Sequence, residues 1–359
     1  MMKGLLLGCS VAIAACSTDS IVETGTGLPE NRGTEIAPGV TVERLTELAW
    51  SADGSEVYFQ SAESGGARLY AVSRNGGTPR LLDGPRDGYV DITPSPDGAW
   101  LYFATNLRTG VRTLYRLSLA GGPAQVLADR SPGRIALTRA DGSLVLPAPN
   151  GLTVAFVVAP DSVFTLTLAT GQRNFITTGC ERLVAQSPDL RTLLCVTAPG
   201  GSGAYMFLDL LQKTTTLTTV LPPSEGVPQM IHWDVGGISV AYQTVVGLNI
   251  WNVQRATTTL AFTFPPRSGL LLDRRNSAWS RDGQRIAFWI HECLRRRGFS
   301  QCDEGQSILY ILELAALKSG TVAVARGEEG GQFMALSANA ASVVYTFGGR
   351  VYHQSTAIP

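Results

Sequence analysis

The sequence predicts an all-β fold assembled from seven copies of one four-stranded antiparallel unit. Three observations lead there: a Ser-Pro-Asp-Gly-like turn recurs along the chain, each copy runs into alternating apolar residues, and 39 Gly and 19 Pro stand among 359 residues. Such punctuation is what many short strands need. The apolar fraction is 44% and the charged fraction 16%, against about 25% charged in an ordinary domain. The chain therefore has material for a sizeable core, and bulk disorder is excluded. Lys+Arg and Asp+Glu both number 29, and the only lysines are Lys3, Lys213 and Lys318. A nucleic-acid partner is not expected, because it would call for a basic excess or stripe.

At the N terminus, Lys3 precedes an apolar run from Leu5 to Ala15. As a helix the run is too short to cross a hydrocarbon core about 30 Å thick, but it has the length of a secretory signal's apolar region. It ends Ile13-Ala14-Ala15-Cys16, a branched apolar residue, two small ones and a cysteine. That quartet resembles the lipobox of bacterial lipoproteins. The resemblance implies cleavage after Ala15, a diacylglyceryl thioether on Cys16 and a membrane partner reached through acyl chains. At about 0.8 kcal/mol per buried CH2, several chains anchor stably. Ser17 rather than Asp follows the cysteine, which by the same resemblance favours the outer membrane, facing the periplasm. Residues 1–15 are expected as the signal and residues 16–38 as a lipidated tether, too polar to repay ordering and about 25 Å in root-mean-square reach. The repeat domain is expected over residues 39–359.

Within it, Ala49-Trp50-Ser51-Ala52-Asp53-Gly54 leads to Val57-Tyr58-Phe59. Thr93-Pro94-Ser95-Pro96-Asp97-Gly98 leads to Leu101-Tyr102-Phe103, and Ala278-Trp279-Ser280-Arg281-Asp282-Gly283 to Ile286-Ala287-Phe288. Weaker copies turn at Asn150, Asp189, Gly236 and Asn339. The turns recur about every 48 residues, within the range of propeller repeats. Each unit continues through a further alternating run, such as Leu69-Tyr70-Ala71-Val72 or Leu309-Tyr310-Ile311-Leu312, and a last one, such as Pro79-Arg80-Leu81-Leu82. Four antiparallel strands per repeat make a propeller blade, so the expected architecture is a seven-bladed β-propeller. Asp53, Asp97, Asp189 and Asp282 occupy turn positions where Asp accepts local backbone hydrogen bonds. The aromatic residues recurring beside Val57, Leu101 and Ile286 are expected to pack blade on blade.

The seventh unit has three strands, the third at Val351-Tyr352-His353. Val40 to Thr46, upstream of the first unit, alternates in the manner of the missing fourth strand. It is expected to complete the last blade and close the ring, which removes exposed sheet edges. The Ser-Pro-Asp-Gly turns and the ending Gly76-Gly77-Thr78-Pro79-Arg80-Leu81-Leu82 resemble the WD40-like repeats in the propeller domain of TolB and of prolyl-oligopeptidase relatives. The resemblance covers roughly residues 40–356. TolB-type chains place a separate domain before six blades, whereas here the tether leads straight into blades, so the resemblance implies the fold.

Catalytic patterns are sparse. No Gly-Xaa-Ser-Xaa-Gly occurs, and peptidase activity is not expected. His232, His291 and His353 lack metal-ligand spacing. His232, before Trp233 on an expected inner strand, is the one candidate channel ligand, and no metal or other cofactor is expected. Cys9 leaves with the signal and Cys16 carries lipid, leaving four cysteines, an even number that suits an oxidising compartment. Cys293 and Cys302 flank an apparent insertion between the second and third strands of blade six, and a bridge between them is expected to pin an exposed loop. Cys180 and Cys195 lie on neighbouring strands around the Ser187-Pro188-Asp189 turn, a few residues from ideal opposition, and form the second expected bridge. In the inserted loop, Arg295, Arg296 and Arg297 with Phe299 form the expected partner-binding surface, because loops on rigid scaffolds carry function and Arg beside an aromatic anchors interfaces.

The function expected from these residues is that of a non-enzymatic, lipid-anchored propeller of the cell envelope serving as a scaffold for an envelope protein. The alternative is a propeller enzyme, lactonase- or lyase-like, or a polysaccharide-binding protein, working at the channel mouth.

Overall fold

The computed structural model describes residues 21–23, 28–42, 47–61, 63–95, 97–106, 112–128, 145–147, 153–158, 162–167, 170–186, 192–197, 205–218, 231–233, 239–243, 247–252, 255, 257–263, 277–280, 284–297, 301–326 and 334–356. Their strands assort into seven antiparallel sheets, six of four strands and one of five. The first sheet sets the pattern with Leu48–Trp50, Glu56–Ser61, Ala67–Ser73 and Arg80–Arg86. The second spans 89–128, the third 145–177, the fourth 180–218, the fifth 231–263, the sixth 277–326 and the seventh 334–355.

Side-chain acceptors build the turn between first and second strands. In the first sheet the Ser51 hydroxyl oxygen accepts the Ser55 and Glu56 N–H groups at 3.0 and 2.9 Å, while Asp53 accepts Ser55 N–H at 3.0 Å. Gly54 takes φ +70°, the left-handed region that glycine enters without steric cost. The second sheet repeats this: Ser95 accepts Trp100 N–H at 2.9 Å and Asp97 accepts Ala99 N–H at 3.0 Å. In the seventh sheet Asn339 does the work of Asp, accepting Ala341 N–H at 3.1 Å, and Ala340 takes φ +53°. These acids and amides are structural, as the turn positions imply. Asp189 and Asp282 lie outside the described residues.

Beyond the turns, one aromatic on the second strand stacks on its cross-strand partner on the third. The pairs are Phe59–Tyr70, Phe103–Tyr115, Phe288–Tyr310 and Tyr345–Tyr352, with ring centroids 5.4–5.9 Å apart. The second-strand ring of each pair is fully buried, and such pairs add about 0.5–1.5 kcal/mol beyond area burial. Neighbouring sheets share cores. One cluster joins the first and second sheets, another the third and fourth, and others the fifth to the sixth and the sixth to the seventh. Phe207 of the fourth sheet stacks on Trp251 of the fifth at 5.5 Å. The seventh sheet packs on the first through Ile36, Leu48, Val57, Val344 and Val351.

Three expectations are corrected. The fourth strand of the last sheet is Thr34–Glu35, paired with His353 and Tyr352 and prolonged by Ile36 N–H to Val351 O at 3.0 Å, and not Val40 to Thr46. From that expected strand, Val42 N–H reaches Gly349 O at 2.9 Å, and residues 43–46 lie outside the described residues. The physical reason is burial. Ile36 and Ala37 are both fully buried, and only the upstream register puts them into the seam. Second, residues 16–38 are not wholly a free tether: Ile21–Glu23 forms a strand, Asn31 bridges Val324 through two 2.8 Å hydrogen bonds, and Thr34–Glu35 follows. Third, the insertion of the sixth sheet is an unbroken prolongation of two strands into one long hairpin, and not a loop between them.

Candidate functional site

The second and third strands of the sixth sheet, Arg285–Arg297 and Gln301–Glu313, have 13 residues each, where their counterparts in the first sheet have six and seven. Ile286, Phe288, Ile290, Ile308, Ile311 and Leu312 are buried and fix the base of this hairpin. From His291, opposite Ser307, it runs on through Glu292–Gln306, Cys293–Gly305, Arg295–Glu304, Arg296–Cys302 and Arg297–Gln301, with bulges around Arg295. At about 3.4 Å per residue the prolongation is on the order of 20 Å long.

Polar contacts seat its lower part. Gln306 is 1% exposed; its amide nitrogen donates to Glu292 Oε2 at 2.8 Å, and its oxygen accepts Leu28 N–H at 3.0 Å. A Cβ at position 305 would lie 2.5 Å from His291 Cε1, so glycine there lets the imidazole lie across the strand. The N-terminal residues run alongside. Ile21, Val22 and Glu23 pair with Arg297, Arg296 and Arg295 as the fifth strand of this sheet. Further along, Glu30 accepts Arg326 N–H at 3.4 Å, and its hydrogen bond from the Arg32 guanidinium holds its carboxyl below the usual range. The Arg32 guanidinium in turn sits 5.0 Å over the Phe347 ring. This strap was not anticipated from the sequence; the apolar pairs Ile21-Val22 and Ile36-Ala37 within a polar stretch were its only signal.

Of the expected site residues, Arg295, Arg296 and Arg297 close the long second strand, with their backbones between two neighbours. Their side chains lie outside the described residues, as do Cys16 and Phe299. The hairpin register sets Cys293 opposite Gly305 and Cys302 opposite Arg296. The two cysteines are therefore offset by three residues along the strands, and a bridge there calls for a local shift of register; their side chains too lie outside the described residues. Cys180 and Cys195 are joined by a disulfide with Cα atoms 5.4 Å apart, bulges in the Cys180–Gln186 strand bringing the offset pair together. His232 sits on the first strand of the fifth sheet, opposite Ala241, and that strand touches the first strand of the fourth sheet, which carries Glu181 and Arg182. The His232 side chain lies outside the described residues. Glu47, ahead of the first sheet, reaches Ile92 N–H of the second at 3.3 Å. Among the described residues no group of three or more His, Cys, Asp or Glu is arranged to hold a metal ion, and no helix is long and apolar enough to cross a membrane.

No family model and no curated protein matches the chain. Solved structures do. An oligogalacturonate lyase from Vibrio parahaemolyticus superposes with a TM-score of 0.64 at 12% identity, over 94% of this chain and 98% of that one. An oligogalacturonate lyase in complex with manganese gives 0.55 at 14%, over 88% and 79%. TolB from Acinetobacter baumannii gives 0.50 at 14%, over 79% of this chain and 63% of that chain, so the match spans less than two thirds of TolB. At such identities the likeness speaks for architecture alone: the fold is a β-propeller, similar to those of TolB and oligogalacturonate lyase.

Proposed function

We propose that this chain is a lipid-anchored propeller of the bacterial cell envelope, on the outer membrane facing the periplasm, that serves as a scaffold for an envelope protein. The observation that carries the reading is Ile13-Ala14-Ala15-Cys16 at the end of the apolar run. The pairing of residues 21–23 with the sixth sheet and of residues 34–35 with the seventh supports it, because these strands tie an anchor at Cys16 to the sheets. In this reading the seven sheets close into a ring of seven blades. The shared core of the last and first sheets favours closure, as does the N-terminal source of the last sheet's fourth strand. Rigid sheets with connections of unequal length suit display to a partner. Replacing Cys16 by Ser is expected to abolish acyl labelling completely and to move the chain from the membrane fraction to the soluble one. Label that persists on the variant overturns the anchor.

A second reading is a ligand-binding or lyase-like propeller. It is favoured by the near-complete overlap with one oligogalacturonate lyase and by Glu47, Glu181 and His232 at the beginnings of first strands in three sheets. Incubation with oligogalacturonate, with and without manganese, tests the second reading: a rise in unsaturated product selects the lyase, retention of the oligosaccharide without product selects a ligand-binding propeller, and neither removes this reading for that substrate.

A further inference from the structure

The strap limits where a lipid anchor can go. Ile21 pairs with Arg297 at the end of the long second strand, and five residues of chain lead from Cys16 to Ile21, at most about 18 Å when fully extended. A free tether would let the body rotate over the bilayer; a strand fastened to this hairpin does not. We propose that the far end of the sixth-sheet hairpin is a membrane-facing site at which Arg296 and Arg297 bind the anionic phosphate headgroups of the leaflet that holds the acyl chains of Cys16. The inference rests on the lipid-anchor reading above and deepens it.

Register selects these two arginines out of three. Arg295 holds the register position between Glu23 on one flanking strand and Glu304 on the other, both acidic residues. Arg296 holds the position between Val22 and Cys302, and Arg297 that between Ile21 and Gln301, none of these four charged; Asp303 falls at the register shift between Glu304 and Cys302. A guanidinium fork matches phosphate oxygens in pairs, and one arginine near an anionic bilayer surface strengthens binding about fivefold. With the acyl chains no more than about 18 Å of chain from Ile21, these two positions lie within reach of the headgroups.

The test uses the full-length acylated chain, reconstituted into phosphatidylethanolamine vesicles containing either phosphatidylglycerol or phosphatidylcholine. Hydrogen exchange is read over residues 293–305, and the mass of the Cys16 peptide is read in the same samples. Exchange is expected to slow several-fold in the phosphatidylglycerol vesicles only. The slowing is expected to vanish in Arg296→Gln with Arg297→Gln and in high salt, with exchange over the first sheet unchanged. Val22→Pro, which removes the strap pairing and leaves the arginines in place, is expected to lose it as well. Equal exchange in both vesicles overturns the inference, as does slowing that survives in the arginine double variant; slowing caused by a protein partner would follow neither lipid composition nor these arginines. Slowing that survives in Val22→Pro overturns the role of the strap. A Cys16 peptide without acyl mass overturns the anchor and this inference with it, whereas an acylated peptide beside an unprotected hairpin overturns this inference alone.

Discussion

Asp53 carries the clearest residue-scale chemistry. Hydrogen bonds from Ser51 and then Ser55 hold its carboxyl down to about 2, against an ordinary 3.8. The folded turn therefore favours the carboxylate, and its contribution is present above pH 3.8 and lost as pH falls through about 2. Asp53→Ala is expected to lower stability by about 0.5–1 kcal/mol at neutral pH, the modest value reflecting solvent exposure. In urea titrations the gap between wild type and variant should close near pH 2. The Ser-Xaa-Asp-Gly pattern was legible because the acceptors, the N–H groups they satisfy and the left-handed glycine fall within six residues, Ser51 to Glu56. The seventh turn was legible only in part: Asn339 keeps the acceptor, but Ala340 takes the left-handed conformation without being glycine. Its carbonyl also accepts the Thr356 hydroxyl, a contact from the end of the next hairpin.

Among the elements, regular hairpins and the strap behave differently. Strands of five or more residues have enough positions to display period-two alternation, so the second and third strands of the sheets were readable in order. Strands of two or three residues, as at Ile21–Glu23 and Thr34–Glu35, hold too few positions for any period. Their place was decided by which sheet edges were left open. Gly33 tests the strap. It has φ +71°, and a Cβ there would lie 2.6 Å from both His353 O and Gln354 Oε1. Gly39, at φ +82°, has nothing within 4 Å of the same point. Gly39→Ala is expected to cost only the left-handed penalty of about 1–2 kcal/mol, and Gly33→Ala more, because backbone must move. Amide exchange over residues 350–355 should rise at least tenfold further in Gly33→Ala than in Gly39→Ala. Equal rises would mean that the strap does not press on the seventh sheet.

The seam between the seventh and first sheets holds a group whose titration bears on the whole molecule. His353 meets Trp50 edge to face with ring centroids 6.0 Å apart, and Trp50 Nε1 donates across the seam to Ala335 O at 2.9 Å. The buried His353 Nε2 has no hydrogen-bond partner among the described residues. Burial, and secondarily the positive charge of Arg74, pushes its pKa below 6.5. Above 6.5 the imidazole is neutral folded and unfolded and contributes no pH dependence. As pH drops below 6.5 the unfolded chain takes the proton first, and stability falls until the folded pKa is reached. His353→Phe, which keeps a ring against Trp50, is expected to flatten this acid-side fall, read as a smaller drop in Tm between pH 7 and pH 5. An unchanged drop would place the titration elsewhere.

The sequence by itself determined the repeat, its turns, its hairpins and the Cys180–Cys195 neighbourhood, because each rests on hydrogen bonds and alternation between residues within about 20 positions of one another. Only the tertiary structure decided the docking of residues 21–23 and 28–37, the register of the last sheet's fourth strand and the backbone neighbours of the arginines of the long hairpin. Those pairings join residues some 270 to 320 positions apart. A strand edge exposes the same N–H and C=O groups whatever its sequence, so which short segment fills it is settled by burial of Ile36 and Ala37 and by the reach of the chain, neither of which is written in any local pattern.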